Sequence, residues 1–489
     1  ITAYRDSKEN VGGDTDTTLA DILYSEPADN FTRFRQFSQE FHYAGSTERL
    51  NWQVGAFYSH ELLDTGNFLQ NGPALGPYLH VLSAGLLPAN GYPQGEGVTD
   101  RYHQREHSEA IYTQEELKLT DAFSLIGGLR YTWEHKSLDS LHSNNDTANL
   151  CANLLQAATG SPTPIPFEDY VHFDKATFGT ACLVNPAFNG QDTHQSIDEG
   201  ALTGTVKAQY KFNDSKMAYA SYSRGNLVGG FNLAETTLPF AGGAPNTSLA
   251  PATDTSFPSE SVDAYEFGAK TQWLDRRLSV NAALFYQKYK DHQLNAFTGT
   301  QFVEFTIPQA QTKGAELEAA FAATSDLSLN AGVTYAESTY PDSEKNRAVL
   351  QAPGSNLFLL PGARLSYAPL WSVTAGASYR HPVTDDWDGF ATIDGKYSSS
   401  YQVGSDEDPV KMQKGFGLVN GSIGVSTHDQ RLTLTAWATN LFNKGYKQTA
   451  YDGVLQTFSS PPAADPSENN YYAFPGEPRF YGASLKVRY

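Results

Sequence analysis

The stretch ALTGTVKAQYKF (Ala201–Phe212) alternates apolar and polar side chains along its whole length. One face carries Leu202, Val206, Ala208, Tyr210 and Phe212, and the other carries Thr203, Thr205, Lys207, Gln209 and Lys211. Successive side chains of a β-strand point to opposite faces, so this alternation predicts a strand with one apolar and one polar face. The stretch is about as long as the 9–11 residues that a tilted strand needs to cross a membrane.

The same alternation recurs along the chain and predicts about sixteen strands in antiparallel succession. Short polar turns such as Asn213–Ser215 close one end of the hairpins, and long loops connect the other end. A strand at Leu50–His60 is expected to lead into a loop that reaches about Ser108, and Ser124–Lys136 leads into another long loop. Outer-membrane barrels separate short turns from long loops in this way.

The composition fits strands that cross a membrane. Aromatic residues are 13% of the chain, which is typical of strand-rich proteins, and no run approaches the roughly 18 apolar residues of a membrane helix. Trp52, Trp133 and Trp273 lie near predicted strand ends, where such rings suit the lipid–water boundary. We therefore predict an all-β fold, a transmembrane antiparallel β-barrel with its apolar face toward lipid. A soluble barrel, with that face inward, would show the same periodicity.

The net charge limits the classes of binding partner, and the cysteine content indicates the cellular compartment. The chain has 34 basic and 54 acidic residues, a net charge of −20, which excludes nucleic acid as a partner because phosphate binding needs clustered Lys and Arg. Its only cysteines, Cys151 and Cys182, lie in one Pro-rich stretch. We predict a disulfide between them and hence an oxidising compartment, the alternative being two unpaired thiols.

The backbone N–H and C=O groups at the two edges of the sheet need hydrogen-bond partners. The first strand is predicted at Ile1–Val11 and the last at Pro478–Tyr489. An open sheet edge in hydrocarbon would leave unpaired N–H and C=O groups at a cost of several kcal/mol each. These two strands are therefore expected to pair with each other or with strands that are missing from this chain.

Several stretches, in order along nearly the whole chain, resemble TonB-dependent receptors of the outer membrane. They are Ser38–Glu61, GGLRYTWEHK (Gly127–Lys136), MAYASYSRGNLVGGFN (Met217–Asn232), Glu260–Leu294, TKGAELEAAF (Thr312–Phe321), NLFNKGY (Asn440–Tyr446) and PGEPRFYGASLKVRY (Pro475–Tyr489). The resemblance implies a 22-stranded barrel around an N-terminal plug in the complete protein. Residues 1–489 would then be the transmembrane barrel, with the plug and the first strands missing.

The resemblance also implies a function. The expected protein binds a scarce nutrient at its outer loops, in the outer membrane of a Gram-negative bacterium, and imports it with energy from the TonB complex, contacted through the missing N-terminal part. Siderophore-bound iron leads as the substrate, followed by carbohydrates, vitamins and aromatic compounds. The final strand, with Tyr481, Leu485, Val487 and Tyr489 on one face, resembles the signal that the barrel-assembly machinery reads. We expect no catalytic residues and no cofactor.

Candidate ligand and metal residues lie in the predicted loops. Aromatic side chains there could stack on a sugar, an aromatic compound or an iron chelate, or pack on each other: Tyr78, Tyr92, Tyr102 and Phe240. His103 and His107 in RYHQREH have the spacing of a helical metal pair, the alternative being solvated loop histidines. The acidic stretches Asp14–Asp16 and Asp406–Asp408 offer oxygen ligands for Ca²⁺.

Three other functions stay open at this stage. A passive 16-stranded porin, complete as given, would conduct without TonB. A barrel-embedded hydrolase would need an acid/base pair at the rim, which the sequence does not reveal. A soluble multi-sheet binding protein would stay in solution without detergent.

Overall fold

The computed structural model describes most of the chain. The described residues are 1–16, 19–82, 85, 89–90, 94–144, 191–233, 240–241, 244–245, 254–297, 302–351, 357–452 and 471–488. Cys151, Cys182, Tyr92 and Tyr489 lie outside these ranges, so the predictions made for them stay predictions.

Long antiparallel strands dominate the described residues. They are β1 Thr2–Asn10, β2 Phe31–Ser46, β3 Leu50–Asn71, β4 Gly97–Lys118, β5 Phe123–Asn144, β6 Gln191–Asn213, β7 Lys216–Leu227, β8 Glu260–Trp273, β9 Leu278–Phe297, β10 Phe302–Ala322, β11 Leu327–Thr339, β12 Trp371–Pro382, β13 Trp387–Ser398, β14 Phe416–Thr427, β15 Leu432–Thr439 and β16 Phe480–Val487. These sixteen strands confirm the predicted number and the all-β class.

Each long strand pairs with its neighbours along the chain, which makes one antiparallel meander from β1 to β16. Short turns close one end of the sheet, as between Ser46 and Leu50 or between Asn213 and Lys216. Among the described residues no ladder joins β1 to β16. The predicted pairing of the first strand with the last strand is therefore not observed.

Shorter elements occupy the long connections. Within the described residues, five pairs of short strands are Gly13–Asp14 with Leu23–Ser25, Gly230–Phe231 with Ser256–Phe257, Phe240–Ala241 with Ala244–Pro245, Tyr401–Gln402 with Met412–Gln413, and Lys447–Asp452 with Tyr471–Pro475. The same part of the chain contains two helices, α1 (Leu75–Leu82) and α2 (Glu344–Leu350), and the 3₁₀ helix Pro409–Lys411. No helix in the described ranges has both the length and the apolar character to span a membrane.

The apolar side chains of the wall point outward. Leu129 and Leu202 are each 57% exposed, and Ile423 is 65% exposed. Exposure of these apolar side chains would be unfavourable in water but is not unfavourable against lipid. Their exposure therefore confirms the lipid-facing wall. Aromatic rings lie at both ends of this band, and neighbouring rings contact each other. Tyr131 and Trp133, for example, have a centroid distance of 4.5 Å.

The buried apolar core lies at the long-loop end of the sheet. Its larger cluster joins the ends of β9 and β10 to α2 and the chain after it: Ala296, Val303, Phe305, Ile307, Ala310, Tyr340, Leu350, Leu357 and Leu360. Asn346 of α2 holds this packing in register, since its side-chain amide donates to the Gln309 carbonyl oxygen at 2.9 Å and its carbonyl accepts from the Gln309 N–H at 3.0 Å. The described parts of these connections thus pack into a folded cap.

Several strands are much longer than the sequence predicted. The loop expected from His60 to about Ser108 is wrong for about half of its length, because β3 runs to Asn71 and β4 begins at Gly97. Similarly, β9 and β10 are long strands that reach Phe297 and begin at Phe302, respectively. These extensions project past the lipid-facing band, where water reaches the outer face and no alternation of apolar and polar residues is required.

Candidate functional site

Four connections of the sheet converge on one cavity. It has a volume of about 260 Å³ and lies between the tip of the β9–β10 hairpin and the connections β11–β12, β13–β14 and β15–β16. Its lining comprises Asn295, Ala296, Phe302, Tyr367, Ser405, Asp406, Lys411, Thr449, Ala450, Tyr451, Asp452 and Phe474. Ligand pockets for drug-sized molecules measure roughly 300–1,000 Å³, so this cavity suits a part of a ligand rather than a large whole one.

A buried lysine lies at the polar side of the cavity. Lys411 ends the 3₁₀ helix Pro409–Lys411, and Asp408 caps that helix by accepting the Val410 N–H at 3.0 Å. The Lys411 side chain is 2% exposed and its ammonium bonds to both Asp406 and Asp452. Since Asp452 belongs to the β15–β16 connection, the lysine ties two connections together.

The electrostatics of this cluster follow from its burial. Burial alone would lower the pKa of Lys411, but the charges of Asp406 and Asp452 outweigh it and raise the pKa above its ordinary value. Burial raises the pKa of Asp452, and it raises the pKa of Glu407 to about 7. The Lys411 ammonium therefore stays charged, whereas burial makes ionisation of Asp452 and Glu407 less favourable.

The cluster around Lys411 contains more carboxyl groups than ammonium groups. The carboxyl groups of Asp406, Asp408 and Asp452 lie within 4.8 Å of one another. Oxygen ligands of this kind suit Ca²⁺, as predicted for Asp406–Asp408, but the Lys411 ammonium already occupies the position between Asp406 and Asp452. The cluster thus has its own internal cation and retains an excess of negative charge.

Aromatic rings also line the cavity. Tyr451 lies 6.0 Å from Phe474 between ring centroids, and Phe302 comes from the facing hairpin. The Tyr367 hydroxyl donates to the Val403 carbonyl oxygen at 2.8 Å, and this bond fixes the ring at the cavity wall. Such a combination of rings and charged groups can stack on a flat group and bind hydroxyl or cationic substituents beside it.

Of the predicted aromatic ligand residues, Tyr102 and Tyr78 do not line this cavity. Tyr102 is 7% exposed, its hydroxyl donates to the Leu233 carbonyl oxygen at 3.1 Å, and it packs in a buried cluster with Leu138 and Phe231. It supports the wall and offers no face to a ligand. Tyr78 is half-buried on α1, and Phe240 begins the short strand Phe240–Ala241, while its side chain lies outside the described part.

The predicted histidine pair is on a strand and not in a loop. His103 and His107 both lie on β4, where a rise of about 3.3 Å per residue separates their backbones by about 13 Å, so they cannot share a metal ion. His103 Nδ1 bonds to the Asp64 carboxylate. The His107 ring instead stacks on His60 with centroids 4.3 Å apart.

The first acidic stretch has a structural role. The Asp16 carboxylate, 1% exposed, accepts the backbone N–H groups of Ile22 at 3.0 Å and Leu23 at 2.8 Å. The Asp14 carboxylate accepts the Asp16 N–H at 3.0 Å. These bonds fold the β1–β2 connection and use oxygen atoms that a Ca²⁺ ion would need.

On the last strand, the outward side chains Tyr481, Leu485 and Val487 are 78%, 65% and 50% exposed.

The cavity residues that the sequence did not reveal are Lys411, Asp452 and Tyr451. Asp452 is far from Lys411 along the chain, and no local pattern marks either one, so only the sheet topology brings them together.

The comparisons with known proteins agree with this architecture. The sequence matches the family described as TonB dependent receptor-like, beta-barrel, over residues 2–441. The catecholate siderophore receptor Fiu of Escherichia coli K12 is 23% identical over 399 residues, which are 81% of this chain and 42% of that receptor. This chain therefore spans less than half the length of the curated relatives it matches.

Solved receptors share the fold at low sequence identity. The ferric yersiniabactin uptake receptor FyuA from Yersinia pestis has a TM-score of 0.68 and 15% identity, covering 99% of this chain and 58% of FyuA. The siderophore receptor PiuA from Acinetobacter baumannii has a TM-score of 0.60 and 15% identity, covering 99% of this chain and 60% of PiuA.

The lipid-facing wall, the short turns at one end and the folded cap at the other define an outer-membrane β-barrel of a Gram-negative bacterium. Within that class, this chain belongs to the TonB-dependent receptor β-barrel family.

Proposed function

We propose that this chain is the barrel of a receptor that binds a ferric siderophore at its outer loops and imports it with energy from the TonB complex. The outer membrane carries no ATP or ion gradient of its own, so uptake against a gradient must draw energy from a partner. In this proposal residues 1–489 form the barrel domain, and an N-terminal part outside this chain contacts TonB. Names of relatives support the substrate class: a catecholate siderophore receptor and a ferric yersiniabactin receptor.

The observation that carries the proposal is the cavity between four connections, lined by aromatic rings and by Lys411 with its carboxylates. A planar chelating group can stack on Tyr451 and Phe474. The excess negative charge of Asp406, Asp408 and Asp452 would repel a highly anionic chelate. We therefore favour a ferric chelate whose contacting part is neutral or cationic, such as a hydroxamate, over a bare ferric catecholate.

The sheet edges argue against the passive porin. A closed 16-stranded porin needs a ladder between its first and last strands, since an unpaired edge is too costly in hydrocarbon. In the described residues the free edges of β1 and β16 do not meet in such a ladder. Further strands, as in the larger barrels of the family, would satisfy both edges.

The test is uptake of radiolabelled ferric hydroxamate and ferric catecholate by cells that carry the complete receptor, with and without TonB. We expect TonB-dependent uptake that favours the hydroxamate. Uptake that persists without TonB would contradict energised transport and support the porin. A preference for the catecholate would contradict the inferred charge selectivity while leaving TonB dependence intact.

A matched pair of variants locates the ligand. Phe474→Ala removes a ring of the cavity, and Phe442→Ala removes a ring of the same connection outside it; the two are 52% and 73% exposed. We expect Phe474→Ala to weaken binding roughly two- to twelvefold, equivalent to about 0.5–1.5 kcal/mol, and Phe442→Ala to leave it unchanged. Equal affinities for the two variants would place the ligand elsewhere.

Two further partners belong to the same proposal. The outward face of β16 is inferred to present Tyr481, Leu485 and Val487 to the barrel-assembly machinery and afterwards to outer-membrane lipid. Transport, without catalysis, is the activity that the named relatives support.

A further inference from the structure

Three histidines lie side by side on the outer face of the barrel wall. In the ladders of β3, β4 and β5, His60 is directly opposite His107, and His107 is directly opposite His135. Directly opposite residues point to the same face, which here is the outer one, since His135 follows the exposed Trp133 by two residues. The row therefore lies just beyond the aromatic rings that end the lipid-facing band.

The rings are close enough to act together. The His60 and His107 centroids are 4.3 Å apart, and those of His107 and His135 are 6.4 Å apart. The Asp198 carboxylate lies 2.7 Å from His135 Nδ1, and the Glu106 carbonyl oxygen lies 3.3 Å from His60 Nδ1. Both contacts engage Nδ1 and leave Nε2 of the two outer rings for another partner.

The central histidine is the least satisfied of the three. Within the described part of the chain, no hydrogen bond reaches either ring nitrogen of His107 or the Nε2 atom of His60. By contrast, the Nδ1 atoms of His142 and His194 lie 2.7 Å and 2.8 Å from aspartate oxygens. The row thus holds several free imidazole lone pairs at one level of the wall.

We propose that His60, His107 and His135 form a binding site for a transition-metal ion, Zn²⁺ or Cu²⁺, that bridges β3, β4 and β5. Imidazole is a preferred ligand of both ions. A carboxylate or carbonyl oxygen on the second ring nitrogen, as Asp198 and Glu106 provide, is the usual support of a metal-bound histidine.

The geometry requires only movement of side chains. Metal–nitrogen bonds of about 2.0–2.1 Å place the nitrogens of two ligands on one ion roughly 3–4 Å apart. The rings of His60 and His107 now stack instead of pointing at one centre, so binding requires the Nε2 atoms to be brought together by rotation about the χ angles, with the backbone ladders in place. Bound metal would link three neighbouring strands where they leave the membrane.

The experiment uses the full chain purified in detergent and titrated with Zn²⁺ against a chromophoric chelator. Cu²⁺ is followed in parallel by electron paramagnetic resonance, which counts coordinating nitrogens. We expect one ion per chain and nitrogen couplings from three imidazoles. His107→Asn should weaken binding by at least about 100-fold, since loss of a ligand exceeds the roughly 10–100-fold effect of a supporting group. Asp198→Asn should fall within that smaller range.

His194→Asn is the matched control, since His194 pairs with Asp139 on the same outer face but lies outside the row. It should bind metal as the unaltered chain does. Heat-modifiable migration in detergent gels shows that each variant has a folded barrel, which separates loss of ligand from loss of structure. Absence of binding to the unaltered chain, or equal binding by folded His107→Asn, would overturn the proposal.

Discussion

Two sides of the barrel differ in height. The tall wall, β3 to β6, has strands of 22 or 23 residues, whereas the short wall, β12 to β15, has strands of 8 to 12 residues. A difference of about ten residues corresponds to about 33 Å along a strand, at about 3.3 Å per residue. The tall wall projects as a continuous sheet, whereas the short wall ends early and is extended by its connections.

The two sides are stabilised differently above the membrane. Backbone ladders continue through the tall wall, and an inner cluster of Tyr102, Leu138 and Phe231 packs a connection against it. The connections of the short wall instead depend on the buried ion pairs of Lys411 with Asp406 and Asp452. A regular sheet tolerates the loss of one contact, whereas replacement of Lys411 would remove both ion pairs that this buried cation makes between the connections. The adaptable, ligand-contacting region is therefore expected above the short wall.

The largest effect is expected at Lys411. Lys411→Met leaves the carboxyl groups of Asp406 and Asp452 without the buried cation between them, and breaking a buried pair by removing one partner costs about 3–5 kcal/mol. Hydrogen exchange of Tyr401–Gln402 and Lys447–Asp452 should accelerate strongly, and binding of ligand should be lost. Lys290→Met, at a residue 75% exposed, is the control and should change neither. Unchanged exchange in Lys411→Met would show that the connections do not depend on this pair.

The next largest effect is expected in the tall wall. Leu138 is fully buried, and Leu138→Ala should cost about 2–5 kcal/mol through the cavity it leaves. The loss should appear as faster hydrogen exchange at Gly230–Phe231, while the ladders of β5 persist. Leu141→Ala, on the same strand but 43% exposed, should have little effect. If Leu138→Ala instead unfolded β5, the strands of the tall wall would depend on packing of the connection against them.

A pH titration separates the two sides. Burial raises the pKa of Glu407 from 4.5 to about 7, so between these values the folded connection binds more protons than the unfolded one. Its stability therefore falls as pH rises from about 4.5 to about 7, and this contribution is constant above that range. Hydrogen exchange near Tyr401–Gln402 should follow this trend, and Glu407→Gln should flatten it. An unchanged slope in Glu407→Gln would assign the effect to another group.

The sequence predicts the membrane part of the wall well and the region above it poorly, for a physical reason. Lipid on one side and a polar lumen on the other impose alternation, which is why Ala201–Phe212 was recognisable. Above the membrane that constraint ends. On β4, Arg101, His103 and Arg105 point outward while Gln104 and Glu106 point inward, so both faces are polar and the strand resembles a loop.

The site was less predictable than the fold because it depends on contacts distant in sequence. The sequence shows the acidic stretch Asp406–Asp408, but not that Lys411 pairs with it, and Ca²⁺ there stays a prediction. The third carboxylate, Asp452, comes from another connection, and only the order of the strands brings it near. Tyr102, predicted in a loop, belongs instead to an unrecognised strand extension.

The smallest effect is expected at the outer face of the tall wall. Arg105 bonds to Asp139 at 3.0 Å, but the two side chains are 45% and 41% exposed, and Asp139 also accepts from His194. Exposed ion pairs contribute about 0–1 kcal/mol and are screened by salt. Arg105→Ala should therefore change the unfolding temperature of the detergent-solubilised barrel only slightly at low salt and not at all at high salt. A loss comparable to that of Leu138→Ala would mean that ladders and apolar packing do not suffice above the membrane. The tall wall would then depend on charge as the short wall does, and the contrast between the two sides would be one of height alone.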